Sequence, residues 1–165
     1  MEKDRMRIGF GYDVHLLAPG RSLTLGGVRI PYLFGLQGHS DADVLTHAIC
    51  DALLGAIAEG DIGRHFPDTD SQYKDIKSTL LLKRVATKVK EKGFHLQNID
   101  ATIVAERPKL SDFIPRMVKE IADTLETGTG RVNVKATTTE GLGFTGRGEG
   151  ISAYAVVLLE EDQAR

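Results

Sequence analysis

The segment from Gly38 to Gly55 constrains the fold more than any other part of the sequence. Its apolar residues recur at helical spacing and predict a helix over 41–58 with one face in the core. They are Val44, Leu45, Ala48, Ile49, Ala52 and Leu53. Ser40 or Asp41 is the predicted N-cap, because either can accept a hydrogen bond from a free backbone N–H. A line of polar residues spaced four apart, typical of a solvated helix face, follows another side: Asp43, His47 and Asp51.

Length and composition predict one ordinary domain over residues 1–165, since 41% of the 165 residues are hydrophobic. The net charge of −2 gives no field that would favour nucleic acid or an anionic membrane as a partner. The single Cys50 excludes a disulfide framework and a cysteine zinc site. No apolar run reaches the ~18 residues that a membrane span needs, and the charged start, Met1–Arg5, is not a secretory signal.

Patterning along the rest of the chain predicts an α+β fold, an α/β sandwich. Alternation and glycine or proline punctuation place strands at 7–15, 99–105, 132–137 and 151–159, a hairpin at 23–30 around Gly26-Gly27, and helices at about 76–92 and 111–127. We therefore expect a mixed four-stranded sheet with helices on one face, plus the hairpin. The other face of the sheet must then be covered, and oligomerisation would cover it.

Asp13 and His15 stand two residues apart on the first predicted strand, so their side chains point the same way. With His47 from the helix they form a set of two imidazoles and one carboxylate. That set suits a tetrahedral zinc ion with its fourth position open. It also suits a facial-triad ferrous site, but ferrous oxygenases are usually all-β barrels and this chain has three predicted helices. A structural zinc normally takes four protein ligands. The alternative is a pair of unrelated polar residues at a strand end.

A second polar stretch, Thr137–Glu140, runs into a glycine-rich segment over 141–150. Residues 141–146 match G-x-G-x-x-G, but an apolar strand rather than a helix follows, which excludes the dinucleotide fingerprint. The threonines can donate hydrogen bonds to phosphate, and Glu140 can hold a hard cation such as Mg²⁺. A plain glycine-rich turn is the alternative.

Three further loops carry candidate ligand groups. The basic corner 106–110 can contact phosphate or a base edge, and the loops 61–63 and 66–70 carry carboxylates that can bond sugar or polyol hydroxyls. Each of these segments can equally be a plain connection or a solvated turn.

Taken together, these segments resemble the 2-C-methyl-D-erythritol 2,4-cyclodiphosphate synthase family. The resemblance runs from about Arg7 to Leu159 and rests on motifs in the family's order and spacing: 11–15, 38–43, His47, 51–55, 61–63, 66–70, 108–109, 135–140 and 143–150. Ala42 departs from the pattern, since many members have glycine there, and Leu33-Phe34 replaces a more polar pair. Neither lies at a ligand position.

The resemblance implies a reaction of the non-mevalonate isoprenoid route. The 2-phosphate of 4-diphosphocytidyl-2-C-methyl-D-erythritol 2-phosphate attacks the β-phosphorus, CMP leaves, and a cyclic diphosphate closes. Both reactants belong to one molecule, so the enzyme's task is to fold it in line. A phosphate nucleophile is already ionised near neutral pH and needs no general base.

The resemblance also implies roles for individual residues. Asp13, His15 and His47 bind one Zn²⁺ per subunit, and Glu140 binds Mg²⁺ or Mn²⁺ between phosphates. His39 and Thr138 stabilise the transition state, and Ser40 touches phosphate. The hydroxyls of ribose and methylerythritol contact Asp61, Ile62, Gly63, Phe66, Pro67, Asp68, Thr69 and Asp70. Cytosine and the CMP phosphate contact Ala105, Pro108, Lys109, Leu110, Ser111 and Thr137, and Thr139 is a further substrate contact.

By the same resemblance the protein is a homotrimer built around its sheets, with active sites between subunits, in the cytoplasm or in a plastid stroma after transit-peptide removal. Phe144 and Arg147 then face an axial cavity that can hold an isoprenoid diphosphate, although a salt bridge of Arg147 is an equal alternative. Two other functions stay open from the residues: a zinc phosphohydrolase, in which metal-bound water attacks, and an anion-binding trimer with structural zinc.

Overall fold

The computed structural model describes residues 6–163. Within these residues, seven strands and five α-helices follow one another in the order β1 (Met6–Pro19), β2 (Leu23–Leu25), β3 (Val28–Ile30), β4 (Phe34–Leu36), α1 (Val44–Ala56), α2 (Ile62–His65), α3 (Ser78–Glu91), β5 (Phe94–Val104), α4 (Ile114–Thr124), β6 (Val132–Thr137), α5 (Gly143–Gly146) and β7 (Gly150–Glu161). The prediction for Met1–Arg5 lies outside the described residues.

Five strands form a mixed sheet in the order β4-β1-β7-β5-β6, and β2 pairs with β3 in the separate hairpin. Among the described strands of this sheet, β5 and β6 run parallel and the other neighbours are antiparallel. The α+β class, the mixed sheet and the hairpin are thus confirmed, but the count of four strands is wrong. The missed strand, β4, has three residues and pairs with the far end of β1 at Leu17–Pro19.

Helix α1 lies directly on β1, and two glycines make that contact possible. A Cβ on Gly9 would stand 1.8 Å from the carbonyl oxygen of Ala52, and a Cβ on Gly11 would stand 1.9 Å from that of Ala48. Any larger residue would push the helix away from the strand. The close approach predicted for this strand is confirmed, and it brings the face of β1 that carries Asp13 and His15 next to α1.

Asp43, rather than Ser40 or Asp41, is the N-cap of α1. Its carboxylate is 0% exposed and accepts hydrogen bonds from the backbone N–H groups of Thr46, Gly26 and Gly27, and from the Thr46 hydroxyl. The interpretation of Asp43 as part of a solvated face is therefore wrong. A buried carboxylate needs such donors, and here they tie the hairpin turn to the start of the helix.

Other boundaries differ modestly from the predicted ones. The helix expected from Ser111 begins at Ile114, after a turn, and the strand expected from Ile99 begins at Phe94. The segments expected to be loops over 59–70 and 141–150 each contain one helical turn, α2 and α5. No described helix has both the length and the apolar content that a membrane crossing requires.

The sheet face opposite α1 is open in a single chain. Its apolar side chains include Ile8 at 73% exposed and Phe10 at 61%, and Tyr154 packs against Phe10 and Tyr12 with ring centroids 6.2 and 5.0 Å apart. A contiguous apolar face of this kind marks an interaction surface.

Candidate metal centre and adjoining cavities

Asp13, His15 and His47 converge on one point, as their spacing predicted. The Asp13 Oδ2 atom lies 2.9 Å from His15 Nε2 and 3.0 Å from His47 Nδ1, and the two ring nitrogens are 3.2 Å apart. Among the described residues this is the one group of His, Cys, Asp or Glu side chains close enough to hold a metal ion together. Strand β1 supplies two of the donors and helix α1 the third.

The outward nitrogens of both rings have partners of their own. The His15 Nδ1 atom lies 2.8 Å from the Gln37 carbonyl oxygen, to which only an N–H can donate. The His47 Nε2 atom lies 2.8 Å from the Ser78 hydroxyl oxygen and 3.1 Å from that of Ser40. Such outer hydrogen bonds orient imidazole ligands toward a metal.

The electrostatics of the centre favour an ionised carboxylate. Burial disfavours the charge of Asp13, but the hydrogen bonds and positive potential of His15 and His47 outweigh it and hold the pKa of Asp13 well below its usual range. Burial likewise works against the His15 cation, yet the hydrogen bond and charge of Asp13 raise the pKa of His15. The nearby Asp51 has its pKa raised, mainly by burial, against the opposing hydrogen bond from Ile62 N–H.

These three donors fit a tetrahedral metal ion. Zinc bonds of roughly 2.0–2.2 Å place tetrahedral ligand atoms about 3.3–3.5 Å apart, a few tenths of an ångström beyond the separations in the structure. Two imidazoles and one carboxylate are also the protein ligands of several catalytic zinc sites, which keep the fourth position open.

A cavity of about 440 Å³ adjoins the donors and collects most residues predicted to hold the sugar and polyol. Its lining includes His15, His39, Ser40, His47, Ile62, Gly63, Phe66, Pro67, Asp68 and Thr69. Asp61 caps α2 and Asp70 caps a short 3₁₀ turn over Ser71–Tyr73 instead, and each carboxylate accepts a backbone N–H, from Arg64 and Gln72 respectively. The Asp70 carbonyl accepts a hydrogen bond from His39 Nε2 at 3.0 Å.

A second cavity, of about 720 Å³, collects the residues predicted for the nucleotide. Its lining includes Tyr32, Ala105, Pro108, Lys109, Leu110, Ser111, Thr137 and Thr138. Within the part of the chain that the structure describes, this cavity shares no lining residue with the one beside the metal donors. A single chain therefore presents the two predicted halves of the site at separate places.

The predicted cation ligand Glu140 is exposed and belongs to a local turn with Thr138. Its backbone N–H donates to the Thr138 hydroxyl at 3.3 Å, and its φ of 53° lies in the left-handed region.

Thr139 and Phe144 line a third cavity, beside Tyr12 and Tyr154 on the open sheet face. Arg147 pairs with Glu149 of the same chain at 2.7 Å.

Sequence reasoning missed the residues behind the metal donors. Ser78 is fully buried and donates its hydroxyl to Asp41, which was considered only as a cap. Asp51 was placed on a solvated face, but it anchors the start of α2 through Ile62 N–H at 2.7 Å. The only sequence signal for Ser78 is its place at the start of the second long apolar-periodic segment.

The geometry agrees with comparisons to known proteins. The YgbB family profile matches residues 6–160. A 2-C-methyl-D-erythritol 2,4-cyclodiphosphate synthase from Geobacter sulfurreducens is 65% identical over 156 residues, covering 94% of this chain and 99% of that protein.

Two solved structures are similar to this chain over nearly all of its length. The bifunctional IspDF from Campylobacter jejuni matches with a TM-score of 0.92 at 49% identity, covering 94% of this chain and 42% of that one. A 2C-methyl-D-erythritol-2,4-cyclodiphosphate synthase in its CDP-bound form matches with a TM-score of 0.86 at 36% identity, covering 93% of this chain and all of that one. The chain therefore belongs to the YgbB family, and its resemblance to the 2-C-methyl-D-erythritol 2,4-cyclodiphosphate synthases is confirmed.

Proposed function

We propose that this protein converts 4-diphosphocytidyl-2-C-methyl-D-erythritol 2-phosphate into 2-C-methyl-D-erythritol 2,4-cyclodiphosphate and CMP, in the non-mevalonate isoprenoid pathway. The observation that carries the proposal is the convergence of Asp13, His15 and His47 beside a cavity whose lining includes His39 and Ser40. A 2-phosphate oxygen forms a bond to the β-phosphorus, the anhydride bond to the α-phosphate breaks, and CMP leaves with that bridging oxygen. The enzyme is thus a phosphorus–oxygen lyase.

Two metal ions complete the proposal. Asp13, His15 and His47 would hold one Zn²⁺ per subunit, and Glu140 would hold Mg²⁺ or Mn²⁺ with the substrate diphosphate. The Glu140 site fits because magnesium is usually bound by one or two carboxylates together with substrate phosphates. When bound, these ions supply Lewis-acid polarisation and charge neutralisation on the phosphates.

The chain's own residues fold and orient the substrate. His39 donates its Nε2–H to the Asp70 carbonyl. In the imidazolium form its Nδ1–H can donate to a phosphate oxygen. The Thr138 hydroxyl is positioned by the Glu140 N–H and provides the second contact to the developing charge. With the 61–70 segment on the sugar and polyol hydroxyls, these contacts bring the two phosphates within reach, and positioning is the larger part of such a reaction.

The second cavity is proposed to take the cytidine. Its lining combines the rigid backbone at Pro108, the cation of Lys109 and the hydroxyls of Ser111 and Thr137. The CDP-bound relative supports a nucleotide ligand for this fold. Because this cavity lies apart from the metal donors in one chain, we propose that a neighbouring subunit supplies it to each site.

A homotrimer built around the sheets would satisfy this arrangement. The open sheet face carries exposed Ile8, Phe10 and Leu16, which a closed cyclic assembly can bury without leaving an edge. Each of the three sites would then take its metal donors from one subunit and its cytidine cavity from the next. The bacterial relative in the comparison favours the cytoplasm as the compartment.

The axial face of such a trimer can also hold an isoprenoid diphosphate. Phe144 lines a cavity on the open sheet face, and the exposed Arg147, three residues further along the chain, offers a cation. We expect Arg147→Ala to weaken calorimetric binding of geranyl or farnesyl diphosphate about tenfold, because a charge-assisted contact is lost. Lys119→Ala, on the exposed surface of α4, is the control. Unchanged binding by Arg147→Ala would leave Arg147 with its intrachain salt bridge alone.

Product analysis in H₂¹⁸O tests the proposed reaction. Purified protein with Zn²⁺, Mg²⁺ and substrate should yield equal amounts of CMP and cyclic diphosphate by ³¹P NMR, with no ¹⁸O in either product by mass spectrometry. A zinc phosphohydrolase would release linear phosphates with one ¹⁸O per cleavage. A binding protein with structural zinc would give no turnover. Either of the last two outcomes contradicts the proposal.

A further inference from the structure

A partly buried series of hydrogen bonds leads from His47 through Ser78 to Asp41, away from the metal donors. The His47 Nε2 atom lies 2.8 Å from the Ser78 hydroxyl oxygen, and that hydroxyl donates to Asp41 Oδ1. The other oxygen of Asp41 accepts the backbone N–H of Ser78 at 3.1 Å. Ser78 is 0% exposed, so water does not compete for its hydroxyl.

The direction of each bond in this series follows from the proton count. A hydroxyl has one hydrogen to donate. The Asp41 carboxylate can only accept hydrogen bonds, so the Ser78 hydroxyl donates its hydrogen to Asp41. Toward His47 the Ser78 oxygen can therefore only accept, so the ring proton must stand on Nε2. With the metal bound, the Nδ1 lone pair of His47 is then directed at the metal position.

The other imidazole of the centre has a different kind of support. His15 donates its Nδ1–H to the Gln37 carbonyl, so the path of the backbone fixes its tautomer. For His47 the equivalent acceptor is a side chain, and its accepting role depends on a second side chain, that of Asp41. The tautomer of His47 is thus open to change by substitution in a way that the tautomer of His15 is not.

We propose that Ser78 and Asp41 are positioning residues that hold His47 as the Nε2–H tautomer and thereby set the affinity of the site for its metal. The inference rests on the proposed function for the presence of that metal. It also gives Ser40 a defined state. Its hydroxyl oxygen lies 3.1 Å from the same Nε2 atom and accepts the Ala42 N–H at 3.2 Å. Its own proton faces the Ser78 hydroxyl oxygen at 3.5 Å and can turn to a nearer substrate oxygen.

Zinc affinity, measured by chelator competition on the full-length protein, tests the role of Ser78. Ser78→Ala removes the acceptor of the ring proton, and loss of such an outer partner should weaken zinc binding about 10–100-fold. Thr79→Ala is the matched control, because it removes a hydroxyl from the next residue of the same helical turn; its zinc affinity should stay within about twofold of wild type.

Asp41→Asn tests the hydrogen bond between Ser78 and Asp41 while leaving the Ser78 side chain in place. The carboxylate accepts three hydrogens, from the Ser78 hydroxyl, Ser78 N–H and Asp43 N–H, and an amide has one oxygen for them. The Ser78 proton then turns in part toward His47 Nε2, and zinc affinity should fall about tenfold. Asp75→Asn is the control, since Asp75 lines the same surface cleft as Asp41.

A spectroscopic readout separates this role from a loss of stability. In zinc-loaded protein labelled with [¹⁵N]histidine, the His47 Nε2 proton should resonate downfield and be protected from exchange with water. In Ser78→Ala it should exchange rapidly, while the His15 Nδ1 proton on the Gln37 carbonyl stays protected. An unprotected His47 proton in the wild type overturns the proposal without any variant, even if Ser78→Ala fails to fold.

The outcomes also separate this inference from the proposed function. If the wild-type protein binds no zinc, the metal assignment itself fails. If the wild type binds zinc and both Ser78→Ala and Asp41→Asn bind it equally well, the series of hydrogen bonds has no role in the site and only the inference fails.

Discussion

The metal half and the nucleotide half of the proposed site are built differently. In the metal half, formed by Asp13, His15 and His47, both imidazole rings make hydrogen bonds to groups distant in sequence. His15 bonds the Gln37 carbonyl and His47 bonds the Ser78 hydroxyl. Around Thr138 and Glu140 the side chains are exposed, and their hydrogen bonds stay within the same turn. The first arrangement is fixed by the fold, whereas the second is fixed only locally.

This difference has a functional meaning. A metal site needs its donors at set distances before the metal arrives, which long-range hydrogen bonds and burial provide. Groups that contact a nucleotide and its phosphates can remain accessible until substrate and a neighbouring subunit enclose them. Substitutions in the metal half should therefore change metal content or stability, and substitutions in the nucleotide half should change turnover alone.

The largest effect is expected from His47→Ala. Loss of one of three ligands leaves two protein donors, and turnover should fall by more than the roughly 100-fold upper range for outer partners alone. Bound zinc, measured by elemental analysis, should fall with it. His65→Ala, a histidine that bonds the Glu59 carbonyl, is the control. Full zinc occupancy in His47→Ala would rule out the ligand assignment.

The contrast in stability is tested by comparing Asp43→Ala with Thr138→Ala. Asp43 caps α1, the helix that carries His47. Asp43→Ala leaves the buried N–H groups of Gly26, Gly27 and Thr46 without their acceptor, which should lower the free energy of unfolding by roughly 2–4 kcal/mol. Thr138→Ala, at an exposed position, should change it by less than about 0.5 kcal/mol while turnover falls. Denaturant unfolding measures both, and equal losses would erase the distinction.

Glu140→Gln should have the smallest effect of the series. The amide keeps the shape of the side chain but loses the charged oxygen that a hard cation prefers. Zinc content should stay at the wild-type level, while the Mg²⁺ or Mn²⁺ concentration for half-maximal turnover rises about tenfold. Glu126→Gln, at another exposed glutamate in the left-handed region, is the control for charge loss. An unchanged metal titration would remove Glu140 from the cation site.

The sequence could predict the features that depend on local pattern, but not those that depend on contacts between distant segments. Period-two spacing puts Asp13 and His15 on one side of a strand, and the apolar stripe of α1 orients His47, so the metal donors follow from local pattern. Strand β4 escapes prediction because three residues, Phe34–Leu36, carry too little pattern and pair with the distant end of β1.

Long-range polar contacts escaped prediction for a related reason. Asp43 caps α1 because its carboxylate also meets the hairpin turn at Gly26 and Gly27, a contact between segments that local patterning cannot see. Ser78 lies 31 residues from the ring it contacts. Ala42, which replaces a common family glycine, has a φ of 56°, and that left-handed backbone accounts for the preference for glycine there.

Subunit complementation tests the central claim, that each active site joins the metal half of one chain to the nucleotide half of another. His47→Ala chains and Lys109→Glu chains, each inactive alone, are unfolded, mixed in equal amounts and refolded together, with native mass spectrometry to verify hybrid trimers. In a ring with heterologous contacts, random mixing gives about a quarter of the interfaces both intact halves. We expect activity near a quarter of wild type. No recovery in a mixture that contains hybrid trimers would mean that each site is built within one chain.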